Sequence, residues 1–138
     1  MDFDGAKLAL YCGEFLAVIR RDDRPDLPYP DYWDLPGGGR EDNESPLSCA
    51  LRECREELGL AVPASLIRWK KAFEMDGRTK WFFVAELPLE ASRDIWFGNE
   101  GQGWELMEEA DFLSHPKVVP GFQDRLREWI AVRDGAGD

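Results

Sequence analysis

Gly38-Gly39-Arg40-Glu41-Asp42-Asn43-Glu44-Ser45-Pro46-Leu47-Ser48-Cys49-Ala50-Leu51-Arg52-Glu53-Cys54-Arg55-Glu56-Glu57-Leu58-Gly59-Leu60 divides into a loop, a helix and a stop. Ser45 can cap free backbone N–H groups, and Pro46 at the first helical position wastes no donor, so the helix is predicted to start there. Gly59 tolerates the left-handed conformation that closes a helix. Between these ends Leu47, Leu51, Cys54 and Leu58 recur at helical spacing and define a stripe facing a core. Glu53, Glu56 and Glu57 stand at i, i+3 and i+4, which gathers three carboxylates on a neighbouring face. Like charges so placed weaken a helix, so a cation is expected to offset them. Oxygen-only ligands suit a hard divalent ion, Mg²⁺ or Mn²⁺.

The pattern Gly38, five residues, Glu44, seven residues, Arg52-Glu53-Cys54-Arg55-Glu56-Glu57-Leu58-Gly59-Leu60 resembles the Nudix box. Cys54 stands where that pattern usually has an aliphatic residue, a small departure because Cys behaves as a buried hydrophobe. Such a match arises by chance on the order of once in a billion starting positions. The resemblance implies an α/β fold, a Nudix-type α/β/α sandwich with a mixed β-sheet between helices. It also implies Mg²⁺-dependent cleavage of a nucleoside diphosphate linked to another group, X. Glu53, Glu56 and Glu57 would hold metal. A backbone carbonyl of Gly37 or Gly38 would join the shell, and Glu100, in the glycine-rich loop Gly98 to Gly103, would bring a further carboxylate. Glu53 or Glu100 would take the proton from water, with the choice open. Arg52 would orient a carboxylate, Glu44 or Glu56, through a fork-shaped pair.

Upstream, Ala6 to Cys12 and Glu14 to Arg20 read as a hairpin split by Gly13, the second strand apolar on both faces. Arg21 to Asp34 is charged and proline-rich, a long loop of the functional kind, and it delivers Trp33-Asp34-Leu35-Pro36-Gly37-Gly38-Gly39 to the box. Downstream, Ile67 to Met75 and Thr79 to Glu86 form a hairpin around Asp76-Gly77, with Arg68, Lys70 and Lys71 on a solvated face. Ser92 to Phe97 and Trp104 to Met107 read as strands, and Glu108 to Leu113 as a helical turn. Gly121 to Arg133 reads as an amphipathic helix with Phe122, Leu126, Trp129 and Ile130 inward, and Asp134 to Asp138 as a frayed end. Tyr29, Tyr32, Trp33, Phe73, Trp96 and Phe97 are candidate base platforms; Tyr32, Trp33, Phe73 and Trp96 are carried forward as substrate-binding.

A length of 138 residues with 43% hydrophobic content fits one domain over residues 1–138. A net charge of −11 argues against a nucleic-acid backbone or an anionic membrane as partner. The expected partner is a small-molecule nucleotide, and a symmetric homodimer is the default assembly. Cys12, Cys49 and Cys54 read as reduced thiols of a cytoplasmic protein, since no signal region or membrane-length apolar run is present. His115 is the one histidine, which leaves no set for a His-based zinc site or a Ser-His-Asp triad. The stretch His115 to Phe122 lacks the Asn that MutT-type enzymes use for oxidised guanine nucleotides, an argument against 8-oxo-dGTP. Nucleoside triphosphates and nucleotide sugars remain. Two rival functions are a catalytically silent nucleotide-binding sensor on the same fold and an interaction domain whose acidic face docks a basic partner.

Overall fold

A computed structural model describes residues 2–135. In chain order the strands and helices are β1 (Gly5–Cys12), β2 (Phe15–Arg20), β3 (Trp33–Asp34), β4 (Gly37–Gly39), α1 (Pro46–Leu58), β5 (Ile67–Met75), β6 (Arg78–Leu87), β7 (Gly103–Glu108), α2 (Glu109–Ser114) and α3 (Phe122–Gly135). Strand β1 is central. It runs parallel to β6 from Gly5↔Lys80 to Cys12↔Leu87, while the other strand-to-strand pairings among the described residues are antiparallel, so the sheet is mixed.

The other edge of β1 forks. Tyr11 and Cys12 pair with β2, whereas Gly5, Ala6 and Lys7 pair with the glycines of β4. Leu8 N–H bridges the fork by donating to the Pro36 carbonyl at 2.8 Å. The fork inserts the glycine turn into the middle of the sheet, directly before α1.

Side chains alternate across the sheet with period two and form two cores. Ala6, Leu8, Leu10, Ala17, Ile19, Phe83 and Ala85 pack under α1. Ala9, Tyr11, Leu16, Val18, Phe82 and Val84 pack under α2 and α3, against Phe112, Phe122, Leu126 and Trp129. The three layers are the expected α/β/α sandwich. Strands apolar on both faces, as read for β2 and β6, are those buried from both sides.

Four expectations need correction. On α1 the fully buried residues are Cys49, Ala50, Cys54 and Leu58, with Leu47 and Leu51 only half-buried at the margin. The helix lies against glycine strand β4, and so close an approach selects small side chains; Cys49 Sγ sits 3.6 Å from the Gly38 carbonyl. Ser92 to Phe97 is not a strand. A 3₁₀ turn covers Leu89–Asp94, after which Trp96 and Gly98 N–H groups donate to the Leu58 and Glu57 carbonyls at 2.8 and 2.9 Å. Those carbonyls are the orphans of a helix end, and they outcompete a sheet edge for the amides. The loop Arg21 to Asp34 ends as strand β3, paired through Ile19↔Asp34 and Arg20↔Trp33. Asp134 and Gly135 continue α3, and the rest of the expected frayed end lies outside the described residues.

Candidate active site

Helix α1 is built as read: the Ser45 hydroxyl accepts the Ser48 N–H at 3.1 Å, and Gly59 closes the helix at φ 68°. It presents Glu53, Glu56 and Glu57 towards the loop that carries Glu100. Together with Gly98 and Asn99 these four carboxylates line one cavity of about 280 Å³. Glu100 is exposed, but its loop is anchored: Gly98 N–H holds Glu57 O, Gln102 N–H holds Arg20 O at 2.8 Å, and Gln102 Nε2 holds Arg21 O at 2.7 Å.

The carboxylates differ in environment. Glu57 reaches down to the glycine turn and accepts the Gly37 N–H at 2.7 Å. Burial pushes its carboxyl up to about 7, against the pull of that N–H and of Lys7. Burial also raises Glu53, whose carboxylate lies against the Gly38 backbone; a Cβ at Gly38 would sit 2.2 Å from Glu53 Oε2 and would push the carboxylate aside. Glu56 is more than half exposed.

Arg52 joins them. Its Nε and Nη2 fork onto Glu44 at 2.6 and 3.1 Å, Nη1 reaches Glu53 at 3.1 Å and Glu56 at 3.0 Å, and Nη2 also reaches Gly39 O at 2.9 Å. Both of the partners left open in the sequence, Glu44 and Glu56, are taken. The Arg52 pairing, with the Glu41 N–H, holds the Glu44 carboxyl below the usual range.

No group of three His, Cys, Asp or Glu side chains gathers at metal-ligand distance among the described residues. Arg52 draws Glu53 and Glu56 aside, and Gly37 N–H holds Glu57. The donor set is nevertheless oxygen-only, carboxylate-rich and confined to one cavity, and this chemistry fits Mg²⁺ or Mn²⁺. Of the two glycine carbonyls considered, Gly37 O accepts Lys7 Nζ at 3.2 Å and Gly38 O faces the Cys49 thiol.

Lys7 and Asp34 belong to no motif, yet they shape the turn. Lys7 Nζ donates to Asp34 Oδ1 at 3.0 Å, Leu35 O at 3.2 Å and Gly37 O, which occupies all three ammonium donors. Asp34 is buried and also takes Arg21 Nη1 and the Leu35 N–H. The readable signal was a lysine inside an otherwise apolar strand.

The carboxylate cavity includes none of the aromatic candidates. Trp33 is a core residue under the Arg20 guanidinium, because β3 turns it into the α3-side core. Tyr32 is half-buried against Tyr29, their ring centroids 5.5 Å apart. Phe73 is half-buried on β5 with its ring under Arg125. Phe97 packs on the α1-side core. Trp96 is 82% exposed beside Gly59.

Solved structures share this fold. A Caenorhabditis elegans Ap4A hydrolase superposes with a TM-score of 0.72 at 18% identity, covering 95% of this chain and 98% of that one. A MutT protein from Methanosarcina mazei Go1 gives 0.72 at 17% identity, covering 96% and 98%. In sequence, the RNA pyrophosphohydrolase of a Nitratiruptor species is 33% identical over 95 residues, 59% of this chain and 57% of that protein. Human diphosphoinositol polyphosphate phosphohydrolase 2 is 35% identical over 106 residues, 77% of this chain and 46% of that protein. The chain thus spans about half the length of these curated relatives. The NUDIX domain family model matches residues 8–130, from the middle of β1 into α3, and with the box intact on α1 this chain belongs to the Nudix family.

Proposed function

We propose that this protein is a divalent-cation-dependent hydrolase that, within a single domain, cleaves the diphosphate of a nucleoside diphosphate linked to X, giving a nucleotide and phosphate-X. The observation that carries the reading is the cavity where Glu53, Glu56, Glu57 and Glu100 meet beside the glycine turn, where at Gly37, with φ 142° and an added Cβ 2.2 Å from the Ala6 carbonyl oxygen, only glycine fits. Held by these carboxylates and a glycine-turn carbonyl, Mg²⁺ or Mn²⁺ would neutralise phosphate oxygens and lower the pKa of a water.

The chain's own residues do the rest. Arg52 spaces Glu44, Glu53 and Glu56; Lys7 and Asp34 pin the glycine turn; Gly37 N–H orients Glu57. Glu53, against Gly38, or Glu100, on the opposite wall, accepts the proton from water. Tyr32, Trp33, Phe73 and Trp96 are not gathered at this cavity, so base contacts are assigned outside it, with exposed Trp96 and half-buried Tyr32 and Phe73 the accessible ones. Three unpaired thiols support a cytoplasmic location.

Nucleoside triphosphates and nucleotide sugars stay in the substrate list, and the names of the sequence relatives add RNA pyrophosphate ends and diphosphoinositol polyphosphates. The test is product release from that panel with Mg²⁺ or Mn²⁺, comparing wild type with Glu57→Gln. Turnover is expected to drop by about a thousandfold or more in the variant. A rate within a few-fold of wild type at saturating metal would remove Glu57 from the site. Nucleotide binding without turnover by wild type would establish the silent sensor instead.

A further inference from the structure

Arg125 is a charged residue buried without a counter-ion. It lies on α3 at 7% exposure, and no ion pair forms to it among the described residues. Its guanidinium carbon sits 4.8 Å from the Phe73 ring centroid and 5.6 Å from that of Phe122, and Nη2 meets only the Met75 sulfur at 3.3 Å. Burial lowers its pKa, with Glu128 offering a weak opposing field.

The remaining donors are not sealed in. The buried, unpartnered side-chain atoms among the described residues are Arg40 Nε, Trp81 Nε1 and Trp129 Nε1. Among the described residues Arg125 Nε and Nη1 make no hydrogen bond, and they are not in that set, so solvent reaches them. Nε faces Gly121, where a Cβ would come 3.8 Å from it. Met75, 54% exposed, forms the rim.

This guanidinium connects to the carboxylate cavity through consecutive contacts. Glu57 holds Gly37 N–H, Gly37 O holds Lys7 Nζ, Lys7 Nζ stands 5.8 Å from the Phe122 ring centroid, and Arg125 stands over the same ring. In a chain of net charge −11, a second cation on this path is not a general surface feature.

Burying a guanidinium without a counter-ion costs stability, and a hydrophobic side chain of similar volume would fill the place better. The planar fork with free N–H groups between two rings suits a phosphate oxygen more than a base, since desolvation strengthens charge-assisted hydrogen bonds. Resting on the diphosphate-hydrolase reading, we propose that Arg125 binds a further phosphate of the group X and so selects substrates that carry phosphate beyond the cleaved diphosphate.

The test compares ADP, ATP and adenosine 5′-tetraphosphate at fixed Mg²⁺ for wild type, Arg125→Lys and Arg125→Met. The ratio of kcat/KM for tetraphosphate over diphosphate is expected to fall about tenfold or more in Arg125→Met, through KM, and less in Arg125→Lys. The melting temperature of Arg125→Met is expected at or above that of wild type. An unchanged ratio overturns the proposal, as does an equal loss on all three substrates with a lower melting temperature, or a preference that follows the base when cytidine replaces adenosine. Calorimetric titration with inorganic tripolyphosphate decides separately: about tenfold weaker binding in Arg125→Met supports the site, and equal binding ends it. Should wild type hydrolyse neither this series nor the wider substrate panel above, the hydrolase reading falls while the titration still judges Arg125.

Discussion

Arg52 and Arg125 are both largely withdrawn from water, yet they are opposites. Arg52 sits among Glu41, Glu44, Glu53 and Glu56 and the Gly39 carbonyl, and these partners raise its pKa. Arg125 sits between two aromatic rings with a thioether for company, and its pKa is lowered. One arginine organises groups that the protein supplies. The other has its donors left over, and the contrast separates an internal scaffold from a group held ready for something external.

Breaking Arg52 should have the larger effect. Arg52→Met would leave Glu44, Glu53 and Glu56 without their common partner, and losses of about 10- to 100-fold in catalytic efficiency are expected, with a matching rise in the Mg²⁺ concentration needed for half-activation. A metal titration of activity checks both; an unchanged midpoint would mean that Arg52 does not position the carboxylates.

Glu57 sharpens the same comparison through pH. Its folded-state pKa of about 7 lies above the ordinary 4.5, so the metal-free folded protein holds a proton that the unfolded chain releases first. Stability from this group is therefore full below the unfolded value and is lost as pH rises from about 4.5 through 7. Glu57→Gln should stabilise the metal-free protein by about 2–3 kcal/mol at pH 8 and by almost nothing at pH 4. Denaturant melts in a chelator at the two pH values measure this, and an equal effect at both would show that Glu57 is not raised.

Stability then separates the two arginines directly. Melting temperature should fall in Arg52→Met, whereas Arg125→Met should gain about 1 kcal/mol or remain level. If both variants fell together, the two sites would be alike and the contrast would fail. The smallest change is expected at Cys54→Val, an apolar swap of similar volume in the α1-side core, at under about 1 kcal/mol by thermal melt.

Much of this was legible along the chain because it is local. The Ser45 cap, the Gly59 stop, the Glu spacing and the Asp76-Gly77 turn each depend on residues within a few positions of one another, so propensity and spacing reveal them. Glu100 was harder. It lies far from the box in sequence, and only the docking of Trp96 and Gly98 onto the end of α1 brings its loop to the other carboxylates. The same docking removed the strand expected at Ser92 to Phe97, whose alternating Ile95 and Phe97 imitate strand periodicity while packing beside α1.

By itself the sequence determined the helix that carries the carboxylates, its two ends, the glycine turn before it and the alternation that makes strands β2 and β6 two-sided, since all of these follow from local spacing and backbone preference. Only the tertiary structure decided which small residues α1 buries, that Arg52 takes Glu44 and Glu56 together, that Lys7 and Asp34 pin the turn, that Trp33 belongs to the core, and that Arg125 lies between Phe73 and Phe122. Those outcomes depend on distances between segments far apart in the chain, and close packing and the need to pair buried charge set such distances only once the layers have assembled.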